Sequence, residues 1–131
     1  MGLSDIGSEC PSTSTTCAVK FCSLGFVTSR KWTSVYLVIA DGNIRIYDSE
    51  KTYMAAPLSF AEEIHLDRYH TCSAIKRKAY SQNGGSPVDF FCFYIEVDNG
   101  ALQSTRVLKI GCLEHEDALR VNDCVKAVSN M

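Results

Sequence analysis

Apolar and polar positions alternate most clearly in the middle of the chain. Arg30-Lys31-Trp32 leads into Val35-Tyr36-Leu37-Val38-Ile39, then Asp41-Gly42-Asn43, then Ile44-Arg45-Ile46-Tyr47. β-Branched and aromatic residues suit a pleated surface, and Asp-Gly followed by Asn tolerates the positive φ of a short hairpin turn. The pattern therefore predicts strand, turn, strand. Upstream, residues 18–27 read as a first strand, with Gly25 permitting a bend or bulge. Downstream, Asp48-Ser49-Glu50-Lys51-Thr52 reads as a polar connection, residues 57–66 as a shorter fourth strand, and residues 71–80 as a fifth carrying Lys76-Arg77-Lys78. Gln82-Asn83-Gly84-Gly85-Ser86-Pro87 is the strongest loop signal, because Gly relaxes φ and Pro removes a backbone donor. Residues 90–97 form an aromatic sixth strand, Asp98-Asn99-Gly100 turns it, and residues 106–111 return as a seventh.

The period then changes. Ala118, Val121, Val125 and Val128 fall at helical spacing with Cys124 on the same face. Glu114, Glu116 and Asp117 crowd the first turn and Lys126 lies near the end, an order that complements the helix macrodipole. A helix over about residues 114–128 follows. Strands followed by one amphipathic helix predict a mainly β fold, a bent seven-stranded antiparallel barrel or sandwich capped by a C-terminal helix. Residues 1–16, rich in Ser and Thr with Gly2, Gly7 and Pro11, read as a flexible arm ahead of a domain at 17–131.

Composition narrows the function classes. The chain has 131 residues and 46% hydrophobic content, which fits one domain with a single core. No apolar run approaches the roughly 18 residues that span a bilayer and no leader pattern opens the chain, so a soluble, intracellular protein is expected. The seven cysteines are odd in number and sit mostly in apolar patterns. Reduced, buried thiols are the expectation, with Cys22, Cys92 and Cys112 inside the sheet. The spacings Cys17-x4-Cys22 and His65-x4-His70-x-Cys72 do not match close zinc-ligand pairs. His65, His70 and His115 read as surface or capping histidines. No nucleophile elbow, zinc-protease helix or phosphate-cradling loop before a helix occurs. Neither an enzyme, a cofactor, a metal nor a nucleic-acid partner is expected.

This element order, with Trp32 opening the second strand, Asp41-Gly42 at the turn and Ile46-Tyr47 in the third strand, resembles the pleckstrin-homology domain over about residues 17–129. Val121 stands where the family's helix commonly carries Trp, and Thr33, Ser34 and Val35 stand where its second strand is basic. The resemblance implies inositol phospholipid binding between the first two strands, through Lys20, Arg30 and Lys31, with Lys51 in the next loop. The family's arginine falls on Val35, which removes the fork that grips phosphate bidentately. A second site is implied between the first hairpin loop and Lys76-Arg77-Lys78, with Arg30 and Lys31 as its other wall; the plainer reading of the triplet is a solvated strand end.

About five basic side chains at roughly 1 kcal/mol each give on the order of 5 kcal/mol, a weak attraction to an anionic surface that wants a second anchor. Gly2, if myristoylated, and Cys10, if palmitoylated, would supply it, although Ile6 stands where the myristoylation pattern wants Ser or Thr. In this the chain is similar to the acylated pleckstrin-homology proteins of apicomplexan parasites. That implies phosphatidic acid sensing on the cytosolic face of secretory organelles, the micronemes, in control of exocytosis. A phosphomonoester needs only a few Lys and Arg. Phosphoinositide binding, or peptide binding by strand addition as in phosphotyrosine-binding domains, is the competing expectation.

Overall fold

The computed structural model describes residues 10–22, 32–80, 85–98 and 104–131. The predicted Gly25 bend, the first half of the 82–87 loop and the Asn99-Gly100 turn lie outside them. In chain order the elements are β1 (Thr13–Phe21), β2 (Thr33–Ala40), β3 (Asn43–Tyr47), α1 (Glu50–Ala55), β4 (Glu62–His65), β5 (His70–Cys72), β6 (Lys76–Tyr80), β7 (Val88–Asp98), β8 (Ser104–Cys112) and α2 (His115–Ser129).

All the strand pairs are antiparallel, in the order β4-β3-β2-β1-β8-β7-β5, with β6 following β5 along the same edge of β7. Cys72 lies opposite Ile95 and Lys76 opposite Cys92, so β5 and β6 are one predicted strand interrupted at residues 73–75. Ser73 bridges the break: its N–H donates to the Tyr94 carbonyl at 2.9 Å and its Oγ accepts from the Tyr94 N–H at 2.8 Å. Counted this way, seven antiparallel strands make a curled half-barrel, and α2 is the one helix at the C-terminus.

The core follows from the period of two. Val35, Leu37 and Ile39 of β2, Ile44 and Ile46 of β3, Phe93 and Ile95 of β7, and Leu108 and Ile110 of β8 all point inward and are buried. α2 lays Ala118, Val121 and Val125 on them, each 0% exposed, so Val121 fills its core position with an aliphatic side chain. At the β2–β3 turn, Asp41 (φ 53°) and Gly42 (φ 79°) are both left-handed, as a two-residue hairpin turn of primed type requires.

Three expectations need correction. First, β1 begins at Thr13, so Thr13, Ser14, Thr15 and Thr16 are paired strand residues, opposite Ile39, Val38, Leu37 and Tyr36. Threonine suits a strand, and tertiary contacts fix the segment: Arg120 of α2 donates to Thr13 Oγ1 at 2.8 Å, and Tyr36 Oη donates to Ser14 Oγ at 2.9 Å. Second, the polar connection after β3 contains α1, started by Ser49, whose Oγ accepts from the Thr52 N–H at 3.2 Å. β2 is buried on both faces, and Tyr53 of α1 covers the outward side, meeting Tyr36 at 5.4 Å and Tyr47 at 5.0 Å between ring centroids. β4 is correspondingly short: Pro57, which has no N–H to give a ladder, instead accepts from Tyr47 Oη. Third, all seven cysteines are free thiols, Cys92 and Cys112 buried, but Cys22 sits at the end of β1 and is only half-buried.

Candidate functional site

On the outer face of the sheet, opposite the core, register places cations side by side. Lys20 of β1 faces Lys109 of β8, which faces Tyr94 of β7; in the next rows Gly111 faces Cys92, Cys92 faces Lys76, and Lys78 faces Phe90. Arg106 joins them through an irregularity. Pairing steps from Ile95–Leu108 to Glu96–Arg106, leaving Val107 as an extra residue in β8. A β-bulge of this kind reverses side-chain parity, so Arg106 and Lys109, three apart, share one face.

Aromatic rings organise these charges. The Arg106 guanidinium carbon lies 4.1 Å from the centre of the Tyr94 ring, and the Lys109 ammonium 5.1 Å from the same ring and 5.4 Å from Trp32. The Lys20 ammonium lies 5.9 Å from Trp32. Contacts of this length attract by about 0.5–1 kcal/mol when exposed and more when dry. Lys109 is only 6% exposed, its stem sandwiched while its charge is held against two ring faces. Trp32 stacks on Phe90, 6.1 Å between centroids and 4° from parallel, and rests on Gly111, where a Cβ would stand 3.1 Å from two ring atoms.

A hollow of about 230 Å³ opens here, between Lys76 and Lys78 on one side and Arg106 and Lys109 on the other, with Tyr94 and Ser73 at its base. Glu96 lies 3.8 Å from the Arg106 Nε. Burial pushes the Cys22 thiol above the ordinary range, while the charges of Arg106, Lys109 and Lys20 pull it down. Such a hollow has donors for phosphate oxygens.

Among the sequence-predicted residues, Lys76 and Lys78 line the hollow, and Lys20 stands beside it, opposite Lys109 and 5.9 Å from Trp32. Arg77 does not: on a strand it points to the face opposite its neighbours, and it is held by Asp89 at 2.6 Å and 3.0 Å. Lys51 lies exposed on α1, over β2 and β3, away from the hollow along the sheet. Gly2, Arg30 and Lys31 fall outside the described residues. Cys10 is half-buried, its thiol 3.7 Å from Met131 Sδ at the end of α2. Val35, the place of the family's strand-two arginine, is in the core at 6% exposure. Sequence reasoning missed Arg106 and Lys109, because simple alternation puts residues three apart on opposite faces; the one hint was two cations in a strand otherwise bound for burial.

The histidines have structural partners. His70 is buried with Nδ1 2.9 Å from Asp67, whose carboxyl is held below its usual range first by the Tyr69 N–H and then by His70. His65 Nδ1 meets Asn43 Oδ1 at 2.9 Å, and His115 packs edge-on against Phe91. No group of three metal-ligating side chains occurs among the described residues, and no helix among them is long and apolar enough to cross a membrane. No protein-family model matches this chain, and no curated protein matches it.

Proposed function

We propose that the chain is a non-enzymatic membrane-recruitment module, a diverged pleckstrin-homology domain, that binds an anionic phospholipid headgroup on the outer sheet face, with phosphatidic acid preferred to inositol lipids. The observation that supports the reading is the convergence of Lys20, Lys76, Lys78, Arg106 and Lys109 around Tyr94 and Trp32. The curled sheet closed by a C-terminal helix is compatible with that fold. A phosphomonoester is compact and carries close to two charges, so a tight ring of cations suits it better than the wider spacing of a polyphosphorylated inositol. Val35 in the core leaves the family's usual grip without its arginine. In this reading Gly2 and Cys10 carry acyl chains that turn weak headgroup attraction into stable anchoring. The resemblance then assigns the module to the cytosolic face of a secretory organelle, the microneme, where the lipid governs exocytosis.

The test is sedimentation with vesicles of phosphatidic acid, phosphatidylserine or a phosphoinositide in phosphatidylcholine. The parent is expected to favour phosphatidic acid, and Lys76→Gln/Lys78→Gln/Arg106→Gln to lose that binding with its fold intact. Undiminished binding by the triple variant, or a phosphoinositide preference in the parent, overturns the assignment. No vesicle binding at all would leave strand addition at the exposed β4 edge as the better reading.

A further inference from the structure

Next to the cationic hollow, across the Trp32 ring, lies a second groove of about 250 Å³ whose character is apolar. Its floor is Gly111 and Ala18, its walls are Trp32 and Phe90, and Leu113, 61% exposed, stands at its rim. The two smallest side chains in the alphabet, adjacent across β1 and β8, give the groove its depth. Its shape depends on Gly111: a Cβ there would stand 3.1 Å from two atoms of the Trp32 ring, which would have to give by a few tenths of an ångström.

We propose that this groove receives the first methylenes of one acyl chain of the same lipid, so that the ligand is a phosphorylated amphiphile and not a phosphate group alone. The inference rests on the headgroup reading above. What favours an acyl chain over another apolar occupant is charge complementarity beside the groove, where Lys109 of the hollow reaches the Trp32 ring. Lys20 and Lys109 lie 5.9 Å and 5.4 Å from the centre of the Trp32 ring, and the same ring stacks on Phe90 and rests on Gly111 at the groove. A molecule in which a short glycerol ester link joins an anionic phosphate to a hydrocarbon chain meets the cations and the apolar groove at once. An inositol phosphate, polar throughout, meets only the cations.

Trp32 is the chain's single tryptophan, so its fluorescence reports the groove directly. The probes are glycerol 3-phosphate as the headgroup alone, dibutanoyl, dihexanoyl and dioctanoyl phosphatidic acid as dissolved monomers, and dihexanoyl phosphatidylcholine as chains without net charge. Affinity is expected to rise about fourfold for each methylene the groove buries and then level off. Trp32 emission is expected to shift to the blue with the phosphatidic acids and not with glycerol 3-phosphate. Ala18→Ile, on the half-exposed outer face of β1, fills the groove. It is expected to abolish the dependence on chain length while glycerol 3-phosphate binds as before. Ser34→Leu on the exposed wall repeats the test should Ala18→Ile unfold.

Equal affinity across the chain series overturns the groove and leaves the headgroup site standing. So does a chain-length dependence that survives both filled variants. Failure of every phosphate-bearing probe, or equally tight binding of phosphatidylcholine, overturns the headgroup reading itself. Self-association of the parent that Ala18→Ile abolishes would assign the groove to a second copy of the chain and overturn the acyl proposal.

Discussion

Lys109 combines two demands that usually conflict, being buried and being charged. Its ammonium lies against the ring faces of Trp32 and Tyr94, at 5.4 Å and 5.1 Å. Lys109→Met keeps the length and apolar stem and deletes the charge. It is expected to leave the melting temperature close to that of the parent and to weaken capture by phosphatidic acid vesicles about fivefold, the equivalent of about 1 kcal/mol. Lys109→Ala removes the packing as well and is expected to lower both. Equal vesicle capture by Lys109→Met and the parent would show that the buried cation serves the fold alone.

Cys72 tests the buried thiols. Its Sγ donates to the Asn122 carbonyl at 3.9 Å, and burial pushes its pKa from 9.0 to about 12. Between those values the unfolded chain has lost this proton while the folded one keeps it, so deprotonation pulls the equilibrium toward unfolding as pH rises. The stability this thiol contributes is full below about pH 9 and is lost on approach to about pH 12. The slope is at most about 1.4 kcal/mol per pH unit. Urea unfolding at a series of alkaline pH values is expected to show a steeper decline for the parent than for Cys72→Val, whose only titrations are the groups both proteins share. Parallel declines would show that Cys72 ionises as easily in the fold as outside it.

At the scale of elements, the β2–β3 hairpin depends on Gly42 adopting φ 79°. Nothing lies within 4 Å of a Cβ placed there, so Gly42→Ala carries a conformational cost without a steric one. It is expected to destabilise by about 1 kcal/mol, read as a lower urea midpoint at unchanged slope. That hairpin was legible in the sequence because its instructions are local: Asp41-Gly42 sets the turn and each flanking residue sets its own face. α2 was legible for the same reason, from Ala118 to Val128. α1 was not, since only Tyr53 meeting Tyr36 and Tyr47 across the fold makes a six-residue helix worthwhile. The start of β1 was hidden likewise: Thr13 and Ser14 look like any polar arm until Arg120, more than a hundred positions away, is seen to hold them. In the candidate site, Lys20, Lys76 and Lys78 were visible as isolated charges. Their company with Arg106 and Lys109 was not, because it follows from a bulge opposite Ile95 and Glu96 and from strand order, neither of which periodicity encodes.

For the whole molecule, net charge is −2, yet the outer face of β6, β7 and β8 is cationic. Among the described residues, attraction to an anionic surface is expected from that face. Such attraction is screened over about 8 Å at physiological ionic strength, so vesicle binding is expected to weaken steeply as salt rises. Position then separates cations that a simple count treats alike. Lys76 and Lys78 face the hollow; Arg77 between them is neutralised by Asp89 on the other face, and Lys51 stands apart on α1. At about 1 kcal/mol per facing cation, Lys76→Gln/Lys78→Gln is expected to weaken phosphatidic acid vesicle binding by about 30-fold at low salt and to flatten its salt dependence. Arg77→Gln and Lys51→Gln each remove one charge from the net total but none from the hollow, and are expected to change binding less than about twofold. Equal losses per charge removed in all the variants would mean that the membrane senses only total charge and that the arrangement around Tyr94 has no part in recognition.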